Sequence, residues 1–106
     1  MLKKRIIFKL YYKDSFFCLS RNFKLQKVGD ADWLFQNLSF ENISNYIDEL
    51  IILNVDDKNY LDPINKKFQT SVEKLMKKTF IPLTIGGGLR RLDHVNECFK
   101  IGADKI

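Results

Sequence analysis

Apolar residues gather in three short, nearly continuous runs, RIIFKLYY (5–12), ELIILNV (49–55) and FIPLTI (80–85), and elsewhere recur at helical spacing. The runs are brief and rich in β-branched and aromatic side chains. They predict strands of a parallel sheet covered on both faces, because a strand with one solvated face alternates apolar with polar residues. Between the second and third runs, Ile64, Phe68, Val72, Leu75 and Met76 form a single stripe, which predicts a helix over 62–78. Pro63 falls in its first turn, where a missing N–H is harmless, and Lys74, Lys77 and Lys78 oppose the negative end of the helix dipole. A second helix is predicted from Leu92 to Lys100, with Leu92, Val95, Cys98 and Phe99 inward, Asp93 in the first turn and Gly102 as a left-handed cap. The stretch Ala31–Tyr46 is less regular. Its apolar residues Trp33, Leu34, Phe35, Leu38, Phe40 and Ile43 read as two short helices broken near Ser39.

The resulting order is strand, helical segment, strand, helix, strand, helix, then Ala103–Ile106 as the first residues of a fourth strand. This is an α/β class of parallel βα repeats, about three units plus the start of strand four. Right-handed crossovers place such strands in one sheet, either open or part of a barrel. No low-complexity linker divides residues 1–106, which read as one unit.

Composition narrows the function. A chain of 106 residues has room for one core and excludes a complete large enzyme. Its 18 basic and 13 acidic residues give +5 at pH 7, but the basic residues are scattered over every segment, which describes a solvated surface and not a nucleic-acid stripe. No run approaches the roughly 20 apolar residues of a membrane span. Cys18 and Cys98 form no C-x-x-C pair, and His94 has no ligand set nearby, so neither a zinc site nor a disulfide framework is indicated, and the sequence shows no need for a metal or organic cofactor. Reduced thiols point to a cytoplasmic protein. His94, beside Asp93 and Asn96, is expected on a solvated helix face.

The sharpest local signal is Gly86-Gly87-Gly88, at the carboxyl end of a predicted strand and just before a helix. That edge of an α/β sheet is where ligands bind. Glycines let backbone N–H groups approach an anion and a following helix adds its positive end, so the segment is either a phosphate cradle or a plain tight turn. Its spacing matches neither a dinucleotide fingerprint nor a P-loop. Arg5, Glu49 and Lys105 each begin a predicted strand; in a closed barrel they share the amino-terminal mouth, and otherwise they are ordinary flanking charges. Tyr11, Tyr12 and Trp33 are candidates for ligand stacking or, more commonly, core packing.

Four blocks in order, MLKKRII (1–7), DELIIL (48–53), FIPLTIGGGLR (80–90) and GADK (102–105), resemble the cyclase subunit of imidazole glycerol phosphate synthase, a histidine-biosynthesis family. Members are (β/α)8 barrels of roughly 250 residues, so the resemblance covers this whole chain but only the amino-terminal portion of the family. It implies a lyase-type cyclase that takes ammonia from a glutaminase subunit through the barrel axis and uses it on a bis-phosphorylated ribulosyl nucleotide. It also implies that Arg5, Glu49 and Lys105 belong to the charged ring admitting ammonia, and that Gly86, Gly87 and Gly88 form part of a phosphate cradle. Where the family carries aspartates this chain has Tyr11 and Asn54, and Leu19 stands where a basic residue is usual. A phenol with a reference pKa of about 10 is a poor general base at neutral pH. An offshoot found with surface-polysaccharide genes, in which ammonia serves to amidate a sugar-linked group, resembles the chain better over Phe23–Asp30 (FKLQKVGD). A third expectation is a non-catalytic half-barrel, or a fragment inactive alone, that binds a partner or self-associates through an open sheet edge.

Overall fold

The computed structural model describes residues 5–13, 15–21, 24–37, 42, 44–56 and 63–106. Three parallel strands form its spine: β1 (Ile7–Lys13), β4 (Glu49–Asn54) and β5 (Leu83–Gly86). Each of the three apolar runs therefore holds a strand, with shifted ends; Arg5, Val55 and Phe80 lie outside them. Two further strands extend the sheet: β2 (Phe16–Arg21) pairs antiparallel with β1, and β3 (Lys24–Gly29) pairs antiparallel with β2. The sheet is mixed, in the order β3-β2-β1-β4-β5, and so departs from the purely parallel arrangement expected. β3 escapes the apolar pattern because it is a solvated strand, with Lys24, Leu25, Gln26 and Lys27 all exposed.

Helix α1 (Ala31–Asn37) follows β3; Asp30 accepts the Trp33 N–H through its carboxylate and opens the helix. The expected break near Ser39 and the apolar Leu38, Phe40 and Ile43 lie outside the described residues, and a short 3₁₀ turn occupies Ser44–Tyr46. Helix α2 (Lys66–Met76) is shorter than the predicted 62–78. Asn65 caps it, its side chain accepting the Phe68 N–H at 3.0 Å, so Pro63 and the buried Ile64 precede the helix and do not fill its first turn. Asp62, the predicted start, lies outside the described residues. Helix α3 (Leu92–Lys100) has the predicted bounds, and Gly102 leaves it at φ +116°.

One face of the sheet carries the core. Leu10, Ile52 and Ile85 stand in one cross-strand row and Leu50 and Leu83 in another, all fully buried. Phe68, Val72 and Leu75 of α2 and Leu34 of α1 join the same cluster. Tyr12 is buried there too, with Phe17 and Phe68 edge-on at ring-centroid distances of 5.7 and 5.0 Å, which makes it a core aromatic and not a ligand platform. Trp33 is half-buried against Gly29. Lys74 pairs with Asp32 at 2.5 Å and Lys78 lies over the Phe35 ring, tying α2 to α1.

The opposite face is not covered as expected. Ile7 and Lys9 are exposed, and Tyr11, Ile51, Leu53 and Thr84 are only partly buried. Near-continuous hydrophobicity predicts two covered faces, yet among the described residues the helices pack on one side alone.

Candidate functional site

The parallel strands give the molecule two edges, amino-terminal and carboxyl-terminal, where the candidate residues lie. At the amino-terminal edge, the parallel register places Ile7 beside Glu49 and Ile51 beside Thr84, so Glu49 and Thr84 lie on the same, open face. Thr84 donates its hydroxyl to one carboxylate oxygen of Glu49 at 2.7 Å, and Arg5 approaches the other at 3.4 Å. Glu49 is buried and Arg5 more than half exposed, so the carboxylate is fixed from inside while the guanidinium reaches it from solvent. Lys105 joins this edge through its backbone: its carbonyl accepts the Ile85 N–H at 3.1 Å, an isolated parallel bridge pairs it with Thr84, and its side chain is exposed. The structure thus brings Arg5 and Glu49 into contact and sets Lys105 one strand position away.

Two aspartates pin this edge. Asp48 accepts the Ile6 N–H at 2.7 Å and Asp104 accepts the Leu83 N–H at 2.8 Å, each tying the start of one strand to the start of its neighbour. Thr84 is a residue that sequence reasoning missed. The available signal was a hydroxyl in an otherwise apolar run; its register with β4 comes from the fold.

At the carboxyl edge, β5 ends in the three glycines. Gly87 and Gly88 adopt φ of +94° and +72°, which L side chains rarely take. A Cβ on Gly87 would fall on the backbone oxygen of Asn54 and within 2.9 Å of its nitrogen, so the turn lies flat against the end of β4. The turn then leads into α3, whose N-cap Arg91 makes no side-chain capping bond. Backbone N–H groups at such a glycine turn and helix start are the donors an anion requires.

His94 corrects the expectation of a solvated face. It is buried, and its Nδ1 accepts the Arg90 N–H at 3.4 Å. The buried stripe of α3 is His94 and Cys98, with Val95 half-buried, while Leu92 and Phe99 point outward. Arg91 grips the Asp93 carboxylate at 2.7 and 2.9 Å and holds its pKa below the usual carboxylate range. Burial pushes the Cys98 thiol up to about 11, so it remains protonated at neutral pH.

Tyr11 and Asn54 do not form a pair. Tyr11 lies with Leu53 and Gly86 on the open face, whereas Asn54 shares the alternate row with Tyr12. Asn54 is buried, its Oδ1 accepts the Asp56 N–H at 2.9 Å, and its Nδ2 donates to the Pro63 carbonyl. Leu19 is half-buried on β2 against the core cluster. A separate cleft of about 590 Å³ opens among Ser15, Asp30, Lys66, Lys67, Thr70 and Ser71, and none of the predicted site residues is among these. Among the described residues, no group of three His, Cys, Asp or Glu is placed to hold a metal, and no helix is long and apolar enough to cross a membrane.

Residues 35–106 match the profile of a family described as histidine biosynthesis protein. The whole chain aligns at 50% identity with a protein of Parasynechococcus marenigrum provisionally named imidazole glycerol phosphate synthase subunit hisF2, covering 38% of it. A Campylobacter jejuni protein of the same provisional name is 38% identical over the whole chain, which covers 40% of it. The imidazole glycerol phosphate synthase subunit HisF of Chlorobium chlorochromatii is 33% identical, again with 40% of it covered. The chain spans about two fifths of the length of the curated relatives it matches.

Proposed function

Because this chain belongs to the histidine biosynthesis protein family, we propose that it forms the amino-terminal portion of a (β/α)8-barrel synthase subunit that uses ammonia on a phosphorylated substrate. The single observation that carries this reading is the polarity of one set of parallel strands. A hydrogen-bonded cluster of Arg5, Glu49 and Thr84 lies at their amino edge and the glycine turn at their carboxyl edge. Five residue steps along β4 at about 3.3 Å each separate the two by about 16 Å, a length suited to conducting a small neutral molecule from one to the other.

In this reading Arg5, Glu49 and Lys105 line the entrance for ammonia delivered by a glutaminase subunit. Gly86, Gly87 and Gly88 receive a phosphate of the substrate. The open face with Ile7, Tyr11, Ile51, Leu53 and Thr84 then lines the barrel interior, which accounts for its mixture of apolar and polar residues and for the absence of helices over it among the described residues. The subunit acts in the cytoplasm and has no need of a metal or organic cofactor. The test is turnover of a bis-phosphorylated ribulosyl nucleotide by the polypeptide at the length of its relatives, supplied with ammonium salts or with glutamine and a glutaminase. Ammonia-dependent product formation is expected; none with either nitrogen source overturns the reading.

A second reading is favoured by Tyr11 and Asn54. One is a phenol and the other an amide already committed to two hydrogen bonds, so neither suits proton transfer at neutral pH. This supports ammonia use for amidation of a sugar-linked acceptor, in the manner of the surface-polysaccharide offshoot. Assaying both acceptor classes side by side separates the two.

A further inference from the structure

Gly87 and Gly88 rest on two residues outside their own turn. The backbone of Asn54 lies where a Gly87 side chain would begin, and Pro63 Cβ is 3.5 Å from the place of a Gly88 Cβ. Asn54 also joins these supports to each other. Its Nδ2 donates to the Pro63 carbonyl while its Oδ1 accepts the Asp56 N–H, and the residue is only 6% exposed. The end of β4 and Pro63 therefore form a floor beneath the two glycines, and a single buried amide fastens them.

The chemistry of that fastening is specific. A carbonyl oxygen and an N–H are satisfied together only by a group that donates and accepts, as an amide does. These two partners also fix which end of the amide is nitrogen. An aspartate here would still accept from Asp56 but would set an anionic oxygen against the Pro63 carbonyl. A leucine would leave the buried Pro63 carbonyl without its Asn54 donor and remove the Asn54 acceptor from the half-buried Asp56 N–H.

We infer that Asn54 is a positioning residue that holds the glycine turn in its anion-receiving shape through Pro63, and that it takes no part in proton transfer. This rests on the reading of the turn as a phosphate cradle and deepens it.

The test compares the chain with Asn54→Asp and Asn54→Leu, using inorganic sulfate as the probe because its charge is constant over the pH range used. Affinity is measured at pH 7.5 and pH 4.5, each variant against the unaltered chain at the same pH, with circular dichroism to confirm folding. At pH 7.5 both variants should bind about tenfold more weakly, the loss expected when a buried group goes unpaired. At pH 4.5 Asn54→Asp should recover most of its affinity, since a buried carboxyl beside a carbonyl takes up a proton above its reference pKa of about 3.9 and regains a donor. Asn54→Leu should not recover. Unchanged affinity in Asn54→Asp at pH 7.5, or equal weakness of both variants at both pH values, overturns the inference.

If the unaltered chain binds no sulfate, the cradle reading fails, and the Asn54 fastening is judged on hydrogen exchange of the Asp56 amide. Its protection factor should be high in the chain and in Asn54→Asp, whose carboxylate still accepts that N–H, and low in Asn54→Leu. An unchanged protection factor in Asn54→Leu overturns the fastening as well.

Discussion

Three adjacent glycines offer a graded test, because their surroundings differ although their sequence context does not. Alanine at Gly87 meets two penalties. Its φ of +94° is strained for any L residue, by roughly 1–2 kcal/mol. Its Cβ would also lie on the Asn54 carbonyl oxygen and 2.9–3.0 Å from two further backbone atoms of that residue, which are held in the β4 ladder and cannot swing aside. Overpacking of this kind adds about 1–3 kcal/mol. Gly87→Ala should therefore destabilise by roughly 2–5 kcal/mol. At Gly88 the φ of +72° carries a similar strain, but the nearest atom, Pro63 Cβ at 3.5 Å, is at ordinary contact distance. The loss there is about 1 kcal/mol, partly offset by the reduced freedom of alanine in the unfolded chain. At Gly86 the new methyl meets only Leu53 Cδ2 at 3.0 Å, the end of a side chain that can turn, so the change should fall within about 1 kcal/mol of zero. Urea denaturation with a constant m-value measures all three. Equal losses across the series, or a Gly88→Ala loss larger than that of Gly87→Ala, would refute the reasoning from the Asn54 contact.

Other outcomes follow from single features. The Tyr12 hydroxyl is buried and has no hydrogen-bond partner among the described residues, so Tyr12→Phe should leave stability unchanged or raise it by about 1 kcal/mol in the same denaturation assay. Burial holds the Cys98 thiol protonated up to about pH 11, above its unfolded value of 9.0. The folded state thus binds more protons between those values, and stability is fully present below pH 9 and lost as pH rises through 11. Cys98→Ala should flatten that alkaline loss relative to the unaltered chain. The Lys74–Asp32 pair is half-exposed at both ends, and Asp32, as its hydrogen-bond acceptor, raises the Lys74 pKa. Lys74→Gln should nevertheless move the urea midpoint only slightly, since an exposed ion pair adds little to stability, and less in 1 M salt than in dilute buffer.

Local signals placed much of this molecule. The spacing of Phe68, Val72 and Leu75 runs along one segment, and those three residues are the buried stripe of α2. The glycine run was legible because L side chains rarely take the φ values of Gly87 and Gly88, and the placement of Glu49 at a strand start because the apolar run begins there. The ends of α2 were misplaced since Pro63 is as compatible with an approach to a helix as with its first turn, and the capping bond of Asn65 decides between them.

Periodicity within the chain placed the three parallel strands and helices α2 and α3, but it missed β2 and β3. It did not determine phase or pairing, because these depend on what segments distant in sequence present across the contact. Leu92 and Phe99 read as inward by hydrophobicity, yet the packing of α3 turned His94 and Cys98 toward the interior. The solvated strand β3 acquired its place only by pairing with β2. The Thr84–Glu49 bond and the Asn54 fastening join residues that parallel register and chain return bring together, and neither could be read from spacing alone.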